Sequence, residues 1–69
     1  MKQSRYVNND IRAKRILLSV TQSEIATFIG IHQSLISRYE KYGHGLKPHE
    51  IQKFEEYLRM IEVEQNGTN

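Results

Sequence analysis

Residues 21–40 read TQSEIATFIGIHQSLISRYE, and they predict two short helices joined by a tight turn. Thr21 and Glu24 have the spacing of a capping box, in which each side chain accepts a hydrogen bond from the other residue's backbone amide. The helix that starts there should end at Gly30, because glycine adopts a left-handed cap conformation at little cost. Only Ile31 and His32 separate this helix from the next, so the two helices should cross steeply.

The second of these helices is expected from about residue 33 to residue 41. At helical spacing Ile36 and Tyr39 point inward. The opposite face is short, polar and almost free of acidic groups, and it consists of Gln33, Ser34, Ser37 and Arg38.

The flanking segments predict two further helices. Asn9 can cap a first helix that ends near Ser19, and Pro48 suits the first turn of a last helix. In the last helix apolar residues repeat at helical spacing, namely Ile51, Phe54, Leu58 and Ile61. We therefore expect an all-α chain, a compact bundle of four or five helices over residues 9–62. Residues 1–8 are interpreted as a flexible basic arm, and residues 63–69 as a disordered tail.

Length and composition limit the class of protein. With 69 residues and no cysteine, the chain has room for one small core without disulfides or thiolate metal sites. No apolar run approaches the roughly 20 residues of a membrane span, and no secretory signal follows Met1. The expected location is the cytoplasm.

The charge is unevenly distributed. Residues 1–47 carry eight lysines and arginines against three acidic residues, whereas residues 48–69 carry two against five. A basic front and an acidic back indicate that the first two-thirds of the chain face a polyanion, although an ordinary solvated mixture would show the same count.

The residues from Thr21 to Glu40 closely resemble the helix-turn-helix family of the lambdoid phage repressors and Cro proteins, also called the XRE family. The matching positions are Thr21-Gln22-x-Glu24-Ile25-Ala26, then Gly30-Ile31, then Gln33-Ser34-x-Ile36-Ser37-Arg38-Tyr39-Glu40. The resemblance extends over roughly residues 11–58. It implies a lambda repressor-like domain whose third helix enters the major groove of DNA.

The resemblance also implies roles for individual residues. The base-reading set consists of Gln33, Ser34, Ser37 and Arg38. This suits their chemistry, since glutamine can bond adenine and arginine can bond guanine. Phosphate contacts are expected from Gln22, Thr21, His32, Lys41, Gly45 and Lys47, with Gln22 also bracing Gln33. His32 is more readily interpreted as a passive surface histidine, and Lys41 is equally interpretable as a solvated lysine. Arg15 and Glu40 are expected to form an internal ion pair.

Some positions depart from the family. Lys14 stands where relatives usually have leucine, and Ile16, Leu17 and Phe28 stand where relatives are mostly polar. The extra apolar surface either packs under the arm or binds a partner.

Catalysis has no support in the sequence. His32, His44 and His49 lack the spacing of a helical metal pair, and no glycine-rich loop follows a strand. We expect no enzyme activity, cofactor, metal, membrane contact or small-molecule ligand.

The sequence thus predicts a DNA-binding transcriptional regulator, a repressor or autoregulator acting as a homodimer on a palindromic operator, although an activator is not excluded. The dimer contact is expected at Tyr57, Leu58 and Ile61, with the Ile16, Leu17 and Phe28 patch as the competing surface. The alternative from another class is an antitoxin or anti-repressor that uses the same fold to bind a protein. A third interpretation, a small metal-dependent hydrolase, would require stoichiometric metal.

Overall fold

The computed structural model describes the backbone of residues 3–67 and the side chains of residues 10–67. Four helices and no strand occur in this part of the chain, so the all-α prediction is confirmed. They are α1 (Gln3–Leu17), α2 (Gln22–Ile29), α3 (Gln33–Tyr42) and α4 (Pro48–Asn66).

The core forms where the inner faces of the helices meet. α3 packs against α1 and α2, and α4 packs against α2 and α1. Every helix contributes at least one buried residue, and Val20 joins them from the α1–α2 connection. The others are Ile11, Ile25, Ala26, Ile36, Tyr39, Phe54 and Leu58. The rings of Tyr39 and Phe54 lie 6.2 Å apart and join α3 to α4.

The first helix begins earlier than expected. α1 starts at Gln3, so Asn9 lies inside the helix instead of capping it, and the helix includes most of the segment predicted as an arm. Residues 3–8 contain neither glycine nor proline, and adding turns to a helix that already exists costs far less than nucleating one. Met1 and Lys2, with the side chains of Arg5, Tyr6 and Val7, lie outside the described residues.

The last helix ends later than expected. α4 continues through Asn66, so the predicted tail at residues 63–69 is helical in its first half. Gln65 Nε2 donates a hydrogen bond of 3.1 Å to the carbonyl oxygen of Leu18, which anchors the end of α4 to the end of α1. Thr68 and Asn69 lie outside the described residues.

Candidate nucleic-acid interface

The turn between α2 and α3 has the local chemistry that the sequence predicts. Thr21 Oγ1 accepts a hydrogen bond of 3.0 Å from the Glu24 amide, and Glu24 Oε1 accepts one of 3.1 Å from the Thr21 amide. At the other end of α2, Gly30 is left-handed with φ of 87°, and its amide donates to the Ala26 carbonyl. These two caps define the ends of α2, and three residues, Gly30 to His32, separate α2 from α3.

α3 presents one polar face to solvent. The four residues of the base-reading set are all exposed, whereas Ile36, Tyr39 and Glu40 on the other side are buried. Burying Ile36 and Tyr39 leaves only one orientation for the helix, because they must face α1, α2 and α4. The exposed face contains no carboxylate, so nothing on it repels a phosphate backbone.

His32 caps α3 with its imidazole ring. Its Nδ1 accepts from the Ser34 amide at 3.3 Å and lies 3.0 Å from Ser34 Oγ. Serine or threonine is the more common choice at such a position, and here the ring nitrogen takes the place of their hydroxyl oxygen.

Beneath this face lies a buried ion pair between α1 and α3. Arg15 Nε and Nη2 donate to the two carboxylate oxygens of Glu40 at 2.6 and 3.0 Å. Arg15 Nη1 also donates to the Val20 carbonyl at 2.8 Å. The side chains of Arg15 and Glu40 are only 10% and 2% exposed, so the pair is shielded from solvent and depends on these hydrogen bonds.

Gln22 connects this ion pair to the surface. Its Nε2 donates to Glu40 Oε1 at 2.9 Å, and the resemblance did not lead us to expect this contact. Among the described side chains no hydrogen bond joins Gln22 to Gln33, although both line one shallow depression. An amide nitrogen carries two hydrogens, so within the described part of the chain Gln22 keeps one donor for a phosphate.

A second depression adjoins the α3 face. It has a volume of about 430 Å³ and is lined by Arg12, Gln22, Ser37, Glu40 and Lys41. Arg12 Nε lies 3.9 Å from Glu40 Oε1 with its side chain 57% exposed. Sequence reasoning did not include Arg12, because nothing in the local pattern shows that α1 approaches α3 at this point.

The loop from Gly43 to Lys47 lies close to the base-reading set. Gly45 has φ of 110°, and a Cβ there would lie 3.3 Å from Arg38 Cδ. Gly45, Lys41 and Lys47 are exposed, but the Lys47 amide donates to Glu50 Oε1 at 2.8 Å and is not free for a phosphate.

Two aromatic side chains stack where this loop begins. The ring of Tyr42 stacks on that of His44 with centroids 6.0 Å apart, and Lys41 Nζ lies 5.6 Å from the centroid of Tyr42. The spacing of two residues across a glycine is the only sequence signal that could have indicated this stack.

The predicted dimer residues are only partly at the surface. Leu58 is 2% exposed and packs in the core of its own chain, so assigning it to a dimer contact was wrong. Tyr57 and Ile61 are half-buried, while Met60 and Val63 on the same helix are 50% and 63% exposed.

The competing apolar patch is not uniformly free. Ile16 and Leu17 are 50% and 82% exposed, but Phe28 packs its ring 4.8 Å from that of Tyr57. Phe28 therefore has a partner within the chain although it is still 39% exposed, and Ile16 and Leu17 are the more exposed part of this patch.

Neither a metal site nor a membrane span occurs in the part of the chain that the structure describes. Over these residues no group of three or more potential ligands among His, Asp and Glu could hold a metal ion. No helix there is both long and apolar enough to cross a membrane.

Comparison with known proteins assigns the family. A family model described as helix-turn-helix matches residues 11–65, which is most of the chain. No curated protein and no solved structure matches significantly. The chain belongs to the helix-turn-helix family of the lambdoid phage repressors and Cro proteins, a family of DNA-binding regulators and not of enzymes.

Proposed function

We propose that this protein is a sequence-specific repressor of transcription that binds a palindromic operator in double-stranded DNA as a homodimer, in the cytoplasm. The observation that carries this proposal is the exposed, acid-free face of α3 with Gln33, Ser34, Ser37 and Arg38. Two hydrogen-bonding side chains of the kind that contact adenine and guanine lie at either end of that face.

The buried ion pair supports the orientation of this face. Arg15 and Glu40 join α1 to α3, and Gln22 extends the same network to the first turn of α2. The second amide hydrogen of Gln22 suits a contact to the DNA backbone. So do the basic side chains of Arg12 and Lys41, which line the adjoining depression.

Dimerisation is proposed because one α3 helix contacts too few base pairs for high specificity. Two copies related by a twofold axis would occupy half-sites about 34–36 Å apart. The exposed Met60 and Val63 on α4, with the half-buried Ile61, are the proposed contact surface. Repression follows from occupying a promoter, and an inverted repeat upstream of the coding sequence would indicate autoregulation.

The proposal is tested by measuring binding to a selected duplex and to random duplex DNA at several salt concentrations. Gln33→Ala and Arg38→Ala should each cost about 1–3 kcal/mol on the selected site and scarcely change binding to random DNA. Gln22→Ala should weaken binding to both, because a phosphate contact is independent of sequence.

Equal losses on both DNAs for Gln33→Ala and Arg38→Ala would contradict their role in base recognition. A protein that shows no salt-dependent binding to duplex DNA at all would contradict the proposed function. That outcome would favour a protein-interaction module such as an antitoxin or anti-repressor.

A further inference from the structure

The cap of α3 determines which atom of His32 carries the ring proton. A backbone N–H can only donate, and the Ser34 amide points at His32 Nδ1 from 3.3 Å. Nδ1 must therefore present its lone pair. In the neutral ring the proton then lies on Nε2.

This tautomer determines how the hydroxyl of Ser34 is oriented. Ser34 Oγ lies 3.0 Å from the same Nδ1, which has no hydrogen to offer. The contact is a hydrogen bond only if the hydroxyl proton points at Nδ1. Ser34 has then used its one donor, and the lone pairs of its oxygen remain on the exposed face of α3.

We propose that His32 is a positioning residue that makes Ser34 an acceptor-only contact, so that Ser34 selects a base with an amino group in the major groove. Adenine N6 and cytosine N4 are such groups, whereas guanine and thymine present oxygen acceptors there. A serine whose hydroxyl rotates freely can accept from an amino group or donate to an oxygen, so it discriminates little between the bases. This inference rests on the proposed function, because it requires that α3 contact bases.

The test compares duplex sites selected from a random pool by the wild-type protein and by variants. The wild type should prefer adenine or cytosine over guanine or thymine at one position, by roughly three- to tenfold, as expected for one neutral hydrogen bond. Ser34→Ala and His32→Ala should each bring that preference close to equality at the same position. The double variant should show no further change.

Two further variants separate positioning from simple support of the helix. His32→Asn should restore the preference, since its amide oxygen can accept from both the Ser34 amide and the Ser34 hydroxyl. Gly30→Ala should lower stability while keeping the preference, because Gly30 is left-handed and a Cβ there meets nothing within 4 Å.

Three results would overturn the inference: a preference that survives His32→Ala, a His32→Ala effect spread equally over all positions, or a Ser34→Ala variant with an unchanged site. In each of these cases a wild-type protein that still enriches one duplex site upholds the proposed function. If the wild type enriches no site, the proposed function itself fails.

Discussion

The hydroxyl of Tyr57 on α4 donates a hydrogen bond of 2.9 Å to Glu24 Oε2 in the first turn of α2. Glu24 thus accepts hydrogen bonds from both α4 and the start of α2, since its other oxygen accepts from the Thr21 amide. With the ring of Phe28 packed 4.8 Å away, Tyr57 is engaged within its own chain and connects the helix-turn-helix unit to the last helix.

This bond should make the effect of Tyr57→Phe depend on pH. The hydrogen bonds from the Thr21 amide and from Tyr57 lower the pKa of Glu24 below 4.5, and the bond to Glu24 raises the pKa of Tyr57 above 10.0. The stabilisation is present above pH 4.5 and is lost as pH falls through the lowered pKa of Glu24. It is also lost as pH rises through the raised pKa of Tyr57.

We therefore expect Tyr57→Phe to lower the melting temperature by a few degrees near pH 7, with the difference from wild type shrinking at both pH extremes. Circular dichroism melts across the pH range measure this. Tyr42→Phe is the control, because Tyr42 is 61% exposed and, among the described side chains, makes ring contacts but no hydrogen bond through its hydroxyl. A difference that is constant from pH 3 to pH 11 would contradict the assigned bond.

Breaking the buried ion pair on one side should be costly. Arg15→Ala or Glu40→Ala should each lower the free energy of unfolding by about 3–5 kcal/mol. Glu40→Ala leaves the Arg15 charge buried without its carboxylate, and Arg15→Ala leaves Glu40 with only the Gln22 amide and the more distant Arg12. The Arg15→Ala/Glu40→Ala double variant should lose less than the sum of the two single variants in chemical denaturation.

Lys14→Ala provides the matched surface control. Lys14 Nζ lies 3.4 Å from Glu62 Oε1, but the two side chains are 53% and 42% exposed, so the loss of this ion pair should cost about 0–1 kcal/mol. Strictly additive effects of the Arg15 and Glu40 changes would show that the buried pair contributes no coupling.

Gly45 should influence base selection through Arg38. Gly45→Ala places a methyl group 3.3 Å from Arg38 Cδ on a backbone with φ of 110°, so both strain and displacement of Arg38 are expected. We predict a loss of about 1–3 kcal/mol in stability and a changed preference at the base that Arg38 contacts. Gly30→Ala should lower stability without changing the base preference. If Gly45→Ala selects the same DNA site as the wild type, the predicted effect on Arg38 is wrong.

The oligomeric state can be assigned to a surface by sedimentation. Replacing both Met60 and Val63 with Glu should dissociate the proposed dimer, because these neighbouring side chains are exposed and apolar. Leu17→Glu, at a site 82% exposed, should leave it intact. If Leu17→Glu dissociates the dimer and the Met60 and Val63 changes do not, the interface lies at the end of α1. Leu58→Glu is unsuitable here, since a buried charge at a core position unfolds the chain.

The α2–turn–α3 unit could be predicted from the sequence because its signals are local. The capping box joins Thr21 to Glu24, and the left-handed Gly30 closes α2 with a hydrogen bond to Ala26, four residues before it. The choice of Ile36 and Tyr39 as the inward face of α3 also depends only on helical spacing. The ion pair between Arg15 and Glu40, by contrast, was expected from the family resemblance alone.

The remaining features depend on how the helices pack. Tyr57 and Glu24 are 33 residues apart, Gln65 and Leu18 are 47 apart, and Gln22 and Glu40 are 18 apart. Periodicity gives the face on which a side chain lies but not the helix that faces it, so these partners could not be foreseen. For the same reason Leu58 was assigned to a dimer, although α4 lies on α1 and α2 in a way that buries it.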